Sequence, residues 1–208
     1  GVRFRGARVV GGSGPGGTVA VGVFLWAVLG ATRRGSLRQL APSLKTVAML
    51  VNPKAPNTEA ERKDVLAAAS AIGQQLFILE VSSVRDIEPA FTTLVQREAG
   101  ALLVGSGAFL NSHRERVAAL AERYAIPAIY AQREAVIGGG LVSYGPSITD
   151  AYRHAGNYAG RILKGEKPGD LPVMQSTKFD FVINLKTAKK LGLEIHPQLL
   201  ATADEVIE

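Results

Sequence analysis

Leu141–Leu163, LVSYGPSITDAYRHAGNYAGRIL, decides how this chain is read. It opens as a short apolar strand, Leu141-Val142-Ser143, and turns at Tyr144-Gly145-Pro146. Ser147 then stands where a helix N-cap belongs, with Asp150 three residues on, close to a capping-box pattern. Ile148, Ala151, Tyr152, Ala155, Tyr158, Ala159 and Ile162 follow at helical spacing and form one apolar face. A strand that feeds a helix through a tight polar turn presents free N–H groups and turn side chains at the edge of a sheet. Open parallel sheets bind ligands at such edges.

Upstream of this stretch the same unit repeats in architecture, though not in sequence. Thr46–Val51 (TVAMLV) is a continuous apolar strand, followed by the loop 52–56 and a helix from Asn57 to Ile72, closed by Gly73. Gln75–Val81 is a second strand, and Ser82-Ser83 leads to a helix over Asp86–Gln96. Gly100–Val104 is a third strand with the loop GSGAF after it. Asn111 or Ser112 is then expected to cap a helix ending near Tyr124. Pro127–Tyr130 is a fourth strand, and 131–140 a loop with one helical turn. Strands starting near 46, 75, 100, 127 and 141, uniformly apolar and separated by helices, predict an α/β fold. It is a Rossmann-like three-layer parallel sheet with helices on both faces. Beyond the polar linker 164–170 the texture changes. Lys178–Asn184 (KFDFVIN) alternates like a half-exposed strand, and two short helices follow over 185–191 and 197–201. This tail is expected to pack outside the main sheet.

Composition narrows the function. The chain has 208 residues, enough for one good core plus an appendage, and no cysteine, which excludes disulfides and thiolate chemistry. The net charge of +6 comes from six arginines within residues 1–44, a region with no acid, so the rest is neutral and offers no basic face for nucleic acid. Gly12, Gly14 and Gly17 formally spell a dinucleotide loop, but Pro15 interrupts it and the first acid is Glu59, so residues 1–18 read as an irregular segment. Val19–Leu29 is too short for a bilayer, which takes about 20 residues. It reads as a buried strand and turn leading to a helix over 36–40, rather than as a signal-peptide core. No later segment has the length and hydropathy of a membrane span.

No catalytic set is spelled out. His113, His154 and His196 lie far apart, without metal-ligand spacing, and read as solvated. Ser106 sits between Gly105 and Gly107 but lacks the outer glycines of a nucleophile elbow, since Val104 and Ala108 stand there. What remains is a rim of polar and aromatic groups at the carboxyl ends of the strands. Asn52, Pro53 and Asn57 follow the first strand, Ser82 and Ser83 the second, and Ser106 and Phe109 the third. Tyr130, Gln132 and Arg133 follow the fourth, and Tyr144 and Ser147 the fifth. Hydroxyls, amides, aromatic faces and helix N-termini suit a small polar molecule with a carboxylate and an apolar body. The pattern calls for no cofactor and no metal.

The stretches AMLVNPKAPNTEAE, DIEPAFTTLVQREAGALLVG, IPAIYAQREAVIGGGLVSYG and TDAYRHAGNYAGRILKGEKPGDLPVMQSTKFDFVINLKTAKKLGLEIHPQLLATADEVIE carry a resemblance. From about residue 45 onward the chain resembles the ABC-transporter substrate-binding proteins of the tryptophan/tyrosine type, which have a type I periplasmic-binding fold. The resemblance implies two α/β lobes that close on a ligand and dock on a membrane permease. It divides this chain into an N-terminal segment and crossover (1–44), a ligand-binding lobe (45–165) and a C-terminal segment (166–208) that crosses toward a second, incomplete lobe. Most of the family's first lobe has no counterpart here.

It further implies a non-enzymatic solute-binding component, periplasmic or exported and membrane-associated, with an aromatic or other hydrophobic amino acid or a related small organic acid as ligand and permease subunits as partners. A homodimer through the surface left open by the missing lobe is a further expectation. Carried onto this chain, Asn57 and Ser106 make polar contacts and Phe109 and Tyr144 form walls, with Asn52 beside them. Two other classes stay open: a ligand-sensing regulatory domain of the same fold, and an enzyme on a Rossmann-like sheet.

Overall fold

The computed structural model describes residues 46–71, 73–174, 178–195 and 197–208. The expectations for residues 1–44, and that for His196, lie outside the described residues.

Strand β1 (Thr46–Val51), helix α1 (Thr58–Ala71), strand β2 (Gln75–Glu80), helix α2 (Val84–Gln96) and strand β3 (Ala101–Val104) come first. Helices α3 (Ala108–Ser112) and α4 (Arg114–Arg123), strand β4 (Ala128–Tyr130), helix α5 (Arg133–Ile137), strand β5 (Val142–Pro146) and helix α6 (Ile148–Leu163) follow. Strand β6 (Phe179–Asn184), helices α7 (Leu185–Lys190) and α8 (Pro197–Leu200) and strand β7 (Glu205–Ile207) end the chain. The sheet runs β2-β1-β3-β4-β5-β6-β7. Its first five strands are parallel, as their unbroken apolar runs require.

Each strand alternates its side chains between two cores. Ala48, Leu50, Leu102, Val104, Ala128 and Tyr130 face one side, where Ile87, Phe91 and Leu94 of α2 and Val117 and Ala121 of α4 cover them. Val47, Met49, Val51, Leu103, Ile129 and Val142 face the other, covered by Val65 of α1, Ala188 of α7 and Leu199 of α8. Ala48 and Met49, neighbours on opposite faces, are both fully buried. The three layers read from the sequence are therefore present. Gly73 closes α1 at φ +68°, a left-handed helix end that glycine reaches without strain.

Three local expectations are corrected. The tail strand does not pack outside the main sheet: β6 pairs antiparallel with β5, from Val142↔Ile183 to Pro146↔Phe179, and β7 pairs parallel with β6. Pairing gives the β5 edge its hydrogen-bond partners, and it inserts Phe181 and Ile183 into the second core. Neither Asn111 nor Ser112 caps a helix. Gly107 (φ +134°) lets the chain turn straight into α3, and His113 is the joint to α4. The capping box at Ser147 does not form, because the Ser147 N–H donates to the Lys178 carbonyl (3.0 Å). Asp150 turns instead to Arg153 (2.7 Å) and His154 (3.3 Å).

Candidate functional site

The order β2-β1-β3 makes β1/β3 the topological switch point of the parallel sheet. The chain leaves β1 for α1 on one face and leaves β3 for α3 and α4 on the other, the arrangement at which open parallel sheets commonly offer a crevice for a ligand. Gly105 passes through it with no room for a side chain, since a Cβ there would lie 2.9 Å from the Leu50 carbonyl oxygen.

Ser106 is the centre of this crevice. Its N–H donates to both oxygens of Glu61 (3.1 and 3.2 Å), and its hydroxyl donates to the same carboxylate (3.3 Å). The Asn57 side-chain amide donates to the Ser106 hydroxyl. Asn57 and Glu61 stand one turn apart at the start of α1, where positions i and i+4 share a face. The backbone N–H of Glu61 also closes on the Asn57 carbonyl (3.0 Å). Burial pushes the Glu61 carboxyl above the usual carboxylate range, and the two hydrogen bonds from Ser106 partly oppose that rise. Asn57, Ser106 and Glu61 thus join the outlets of β1 and β3, whose contributing residues are 45 apart or more in sequence.

The other sequence-derived residues divide. Asn52 is buried, and its Oδ1 accepts the Lys54 N–H (2.9 Å) while its carbonyl accepts the Thr58 hydroxyl (2.6 Å); it holds its own loop. Pro53 is an exposed turn residue of that loop. Phe109 packs on the first core and its ring lies 4.6 Å from that of His113. Tyr130 is 3% exposed and forms a wall of a slot between the β3 and β4 outlets, shared with Ser106, Arg114 and Gln132.

Ser82, Arg133 and Tyr144 are engaged elsewhere. Ser82 and Ser83 give their N–H groups to Asp86 (2.9 and 2.8 Å), which fixes the start of α2 at the sheet edge. Those bonds hold the Asp86 carboxyl below the usual range. Arg133 makes a two-pronged ion pair with Glu205 of β7, with Nε at 2.9 Å and Nη2 at 2.6 Å. Tyr144 lies on the opposite face of the sheet from Tyr130, stacked on Phe179 at 5.6 Å and edge-on to Phe181 at 6.2 Å.

Glu61 and Arg114 are candidate site residues that sequence reading missed. Glu61 had a usable signal, four residues after Asn57 on the same helix face. Arg114 had none, since it stands in the charged run HRER. Among the described residues no group of three or more His, Asp or Glu side chains is placed to hold a metal ion.

Comparison with known proteins agrees with this architecture. A family model described as ABC transporter substrate binding protein matches residues 28–207. A curated relative, the tyrosine-binding protein of Clostridioides difficile (strain R20291), is 23% identical over 158 residues, covering 76% of this chain and 46% of its own. A solved ABC domain in complex with L-Trp, from Streptococcus pneumonia, superposes with a TM-score of 0.78 at 23% identity, over 92% of this chain and 60% of its own. A conserved domain protein from Vibrio cholerae gives 0.72 at 22% identity, over 82% and 57%. The chain spans less than half the length of the curated relative it matches. Matched by that family model over most of its length, the chain belongs to the ABC transporter substrate binding protein family.

Proposed function

We propose that the chain is the solute-binding component of an ABC-type importer, holding a small organic solute at the outlets of its parallel strands without transforming it. The observation that carries this reading is the Asn57–Ser106–Glu61 cluster, which brings amide, hydroxyl and carboxylate together in the crevice between β1 and β3. The ligand class is an aromatic or hydrophobic amino acid. The curated relative's name specifies tyrosine and the solved neighbour is an L-Trp complex. Its partners on this reading are the permease subunits of the membrane complex, and its place is periplasmic or exported and membrane-associated.

The open face of α6 supports a second part of the reading. No residue of α6 is buried, and Tyr152 (75% exposed), Ile162 and Leu163 stand in solvent beside the exposed Val173 and Met174. A first lobe docks here in the whole protein. Where that lobe is lacking, two copies pair through the same face. Static light scattering should then show a mass that rises with concentration; a constant monomer mass would remove the homodimer from the reading.

The test of solute binding is a panel of tyrosine, tryptophan, phenylalanine, leucine, isoleucine and valine, read by thermal shift and calorimetry. The 208-residue chain is measured alone and joined to a family first lobe. A dose-dependent rise in melting temperature with one subset is expected. Flat traces across the panel with both proteins would overturn the assignment.

A further inference from the structure

Between the outlets of β3 and β4 lies a slot of about 20 Å³, walled by Gly105, Ser106, Arg114, Tyr130 and Gln132. That is room for one water or one ligand oxygen. Two polar atoms beside it are buried and have no hydrogen-bond partner: the Tyr130 hydroxyl and Arg114 Nε. The rest of the Arg114 head is anchored, with Nη1 on the Asn111 carbonyl (3.0 Å) and Nη2 3.9 Å from the exposed Glu115. Burial raises the Tyr130 pKa, so the hydroxyl keeps its proton at neutral pH. Ser143, opposite Tyr130 in the β4–β5 register, carries a further unpartnered hydroxyl, fully buried within the sheet.

An unpaired buried donor is costly, and natural structures seldom leave two together. Guanidinium nitrogens can only donate, and a protonated phenol donates by preference. Two donors, one of them cationic, in a slot sized for an oxygen call for an anionic acceptor.

We propose that this slot receives the carboxylate end of the bound solute, with Tyr130 and Arg114 as its donors. Ser106 joins the two ends of the site, since it holds the Glu61 carboxyl and also lines the slot with Arg114. A zwitterionic amino acid would enter with its carboxylate toward β4 and its ammonium toward β1. This inference rests on the solute-binding reading and adds an orientation to it.

The experiment compares L-tryptophan and L-tyrosine with their carboxamides, titrated calorimetrically into wild type, Tyr130→Phe and Arg114→Gln in a carboxylate-free buffer. Tyr130→Phe removes a hydroxyl that holds no protein partner, so the fold is kept; the melting temperature checks this for both variants. In wild type the acid should bind roughly tenfold or more tightly than its amide. Each variant should weaken the acid and leave the amide nearly unchanged, shrinking that ratio. If acid and amide bind wild type equally, or if the variants weaken both alike, the slot is not a carboxylate site although the solute-binding reading stands. If neither acid nor amide binds wild type, the carboxylate slot is overturned, and the solute-binding reading stands or falls with the wider panel.

Discussion

Helices α2 and α6 carry the same kind of sequence and meet different fates. In α2, Ile87, Ala90, Phe91 and Leu94 recur at helical spacing, and all four are buried under the sheet. In α6, Ile148, Ala151, Tyr152, Ala155, Tyr158, Ala159 and Ile162 recur just as regularly, yet no residue of the helix is buried. Periodicity shows that a face is made to be covered. Whether it is covered depends on a partner, and for α6 the described residues supply little more than the strap 171–174, which takes the Tyr158 hydroxyl on the Pro172 carbonyl. An amphipathic pattern therefore encodes a demand for packing, and the structure tells which demands are met among the described residues.

The contrast breaks most readily at Phe91. Its ring is 1% exposed, so Phe91→Ala should destabilise the chain by about 3–5 kcal/mol, a fall in melting temperature on the order of 10 °C. A loss below about 1 kcal/mol by urea titration would mean that α2 is no better packed than α6.

Next comes Gly145 at the outlet of β5, where an added Cβ would fall 1.8 Å from the Ala131 carbonyl oxygen. Gly145→Ala forces the β4 and β5 outlets apart at a cost of about 1–3 kcal/mol, and it should weaken solute binding as well. Calorimetry of the variant with L-tryptophan checks the second effect.

A third test concerns Glu61. Its pKa in the folded chain is raised above the ordinary 4.5. Between the two values the folded state binds more protons than the unfolded one, so wild-type stability falls as pH rises through that window. Glu61→Gln cannot ionise. It should flatten that part of the stability profile and leave the chain at least as stable at neutral pH. Parallel wild-type and variant profiles from pH 4 to 8 would show that Glu61 is not held in a dry site.

The smallest expected effect lies on α6 itself. Tyr152→Ala should change stability by no more than about 0.5 kcal/mol, because the ring is already in solvent. The same variant should reduce self-association or docking of a first lobe, read by light scattering. A loss of several kcal/mol would mean that α6 is packed after all, and the two helices would no longer differ.

The strands and their parallel order of travel were legible in the sequence, because each is an apolar run followed by turn residues and a helix. Their lateral order was not, since TVAMLV and ALLV look alike from both neighbours. The alternating KFDFVIN marks a sheet strand but not which edge it joins, so its pairing with β5 had to be seen. The rim of the site was partly legible. Asn57, Ser106 and Tyr130 do converge, since all three follow from the outlet rule. Tyr144 and Tyr130 part company because the register Tyr130↔Ser143 puts them on opposite faces, a matter of parity across strands. Arg133 is taken by Glu205, 72 residues away, and nothing local announces so distant a pairing.

The central claim is that the crevice between β1 and β3 holds a small solute. Amide NMR of the ¹⁵N-labelled chain, titrated with L-tryptophan and L-tyrosine to millimolar concentration, tests it most directly, because weak binding by a single lobe still shifts resonances. The amides of Asn57, Glu61, Ser106 and Tyr130 should move together along one saturable curve while those of α2 stay fixed. No movement, or movement confined to α6 and residues 171–174, would contradict it.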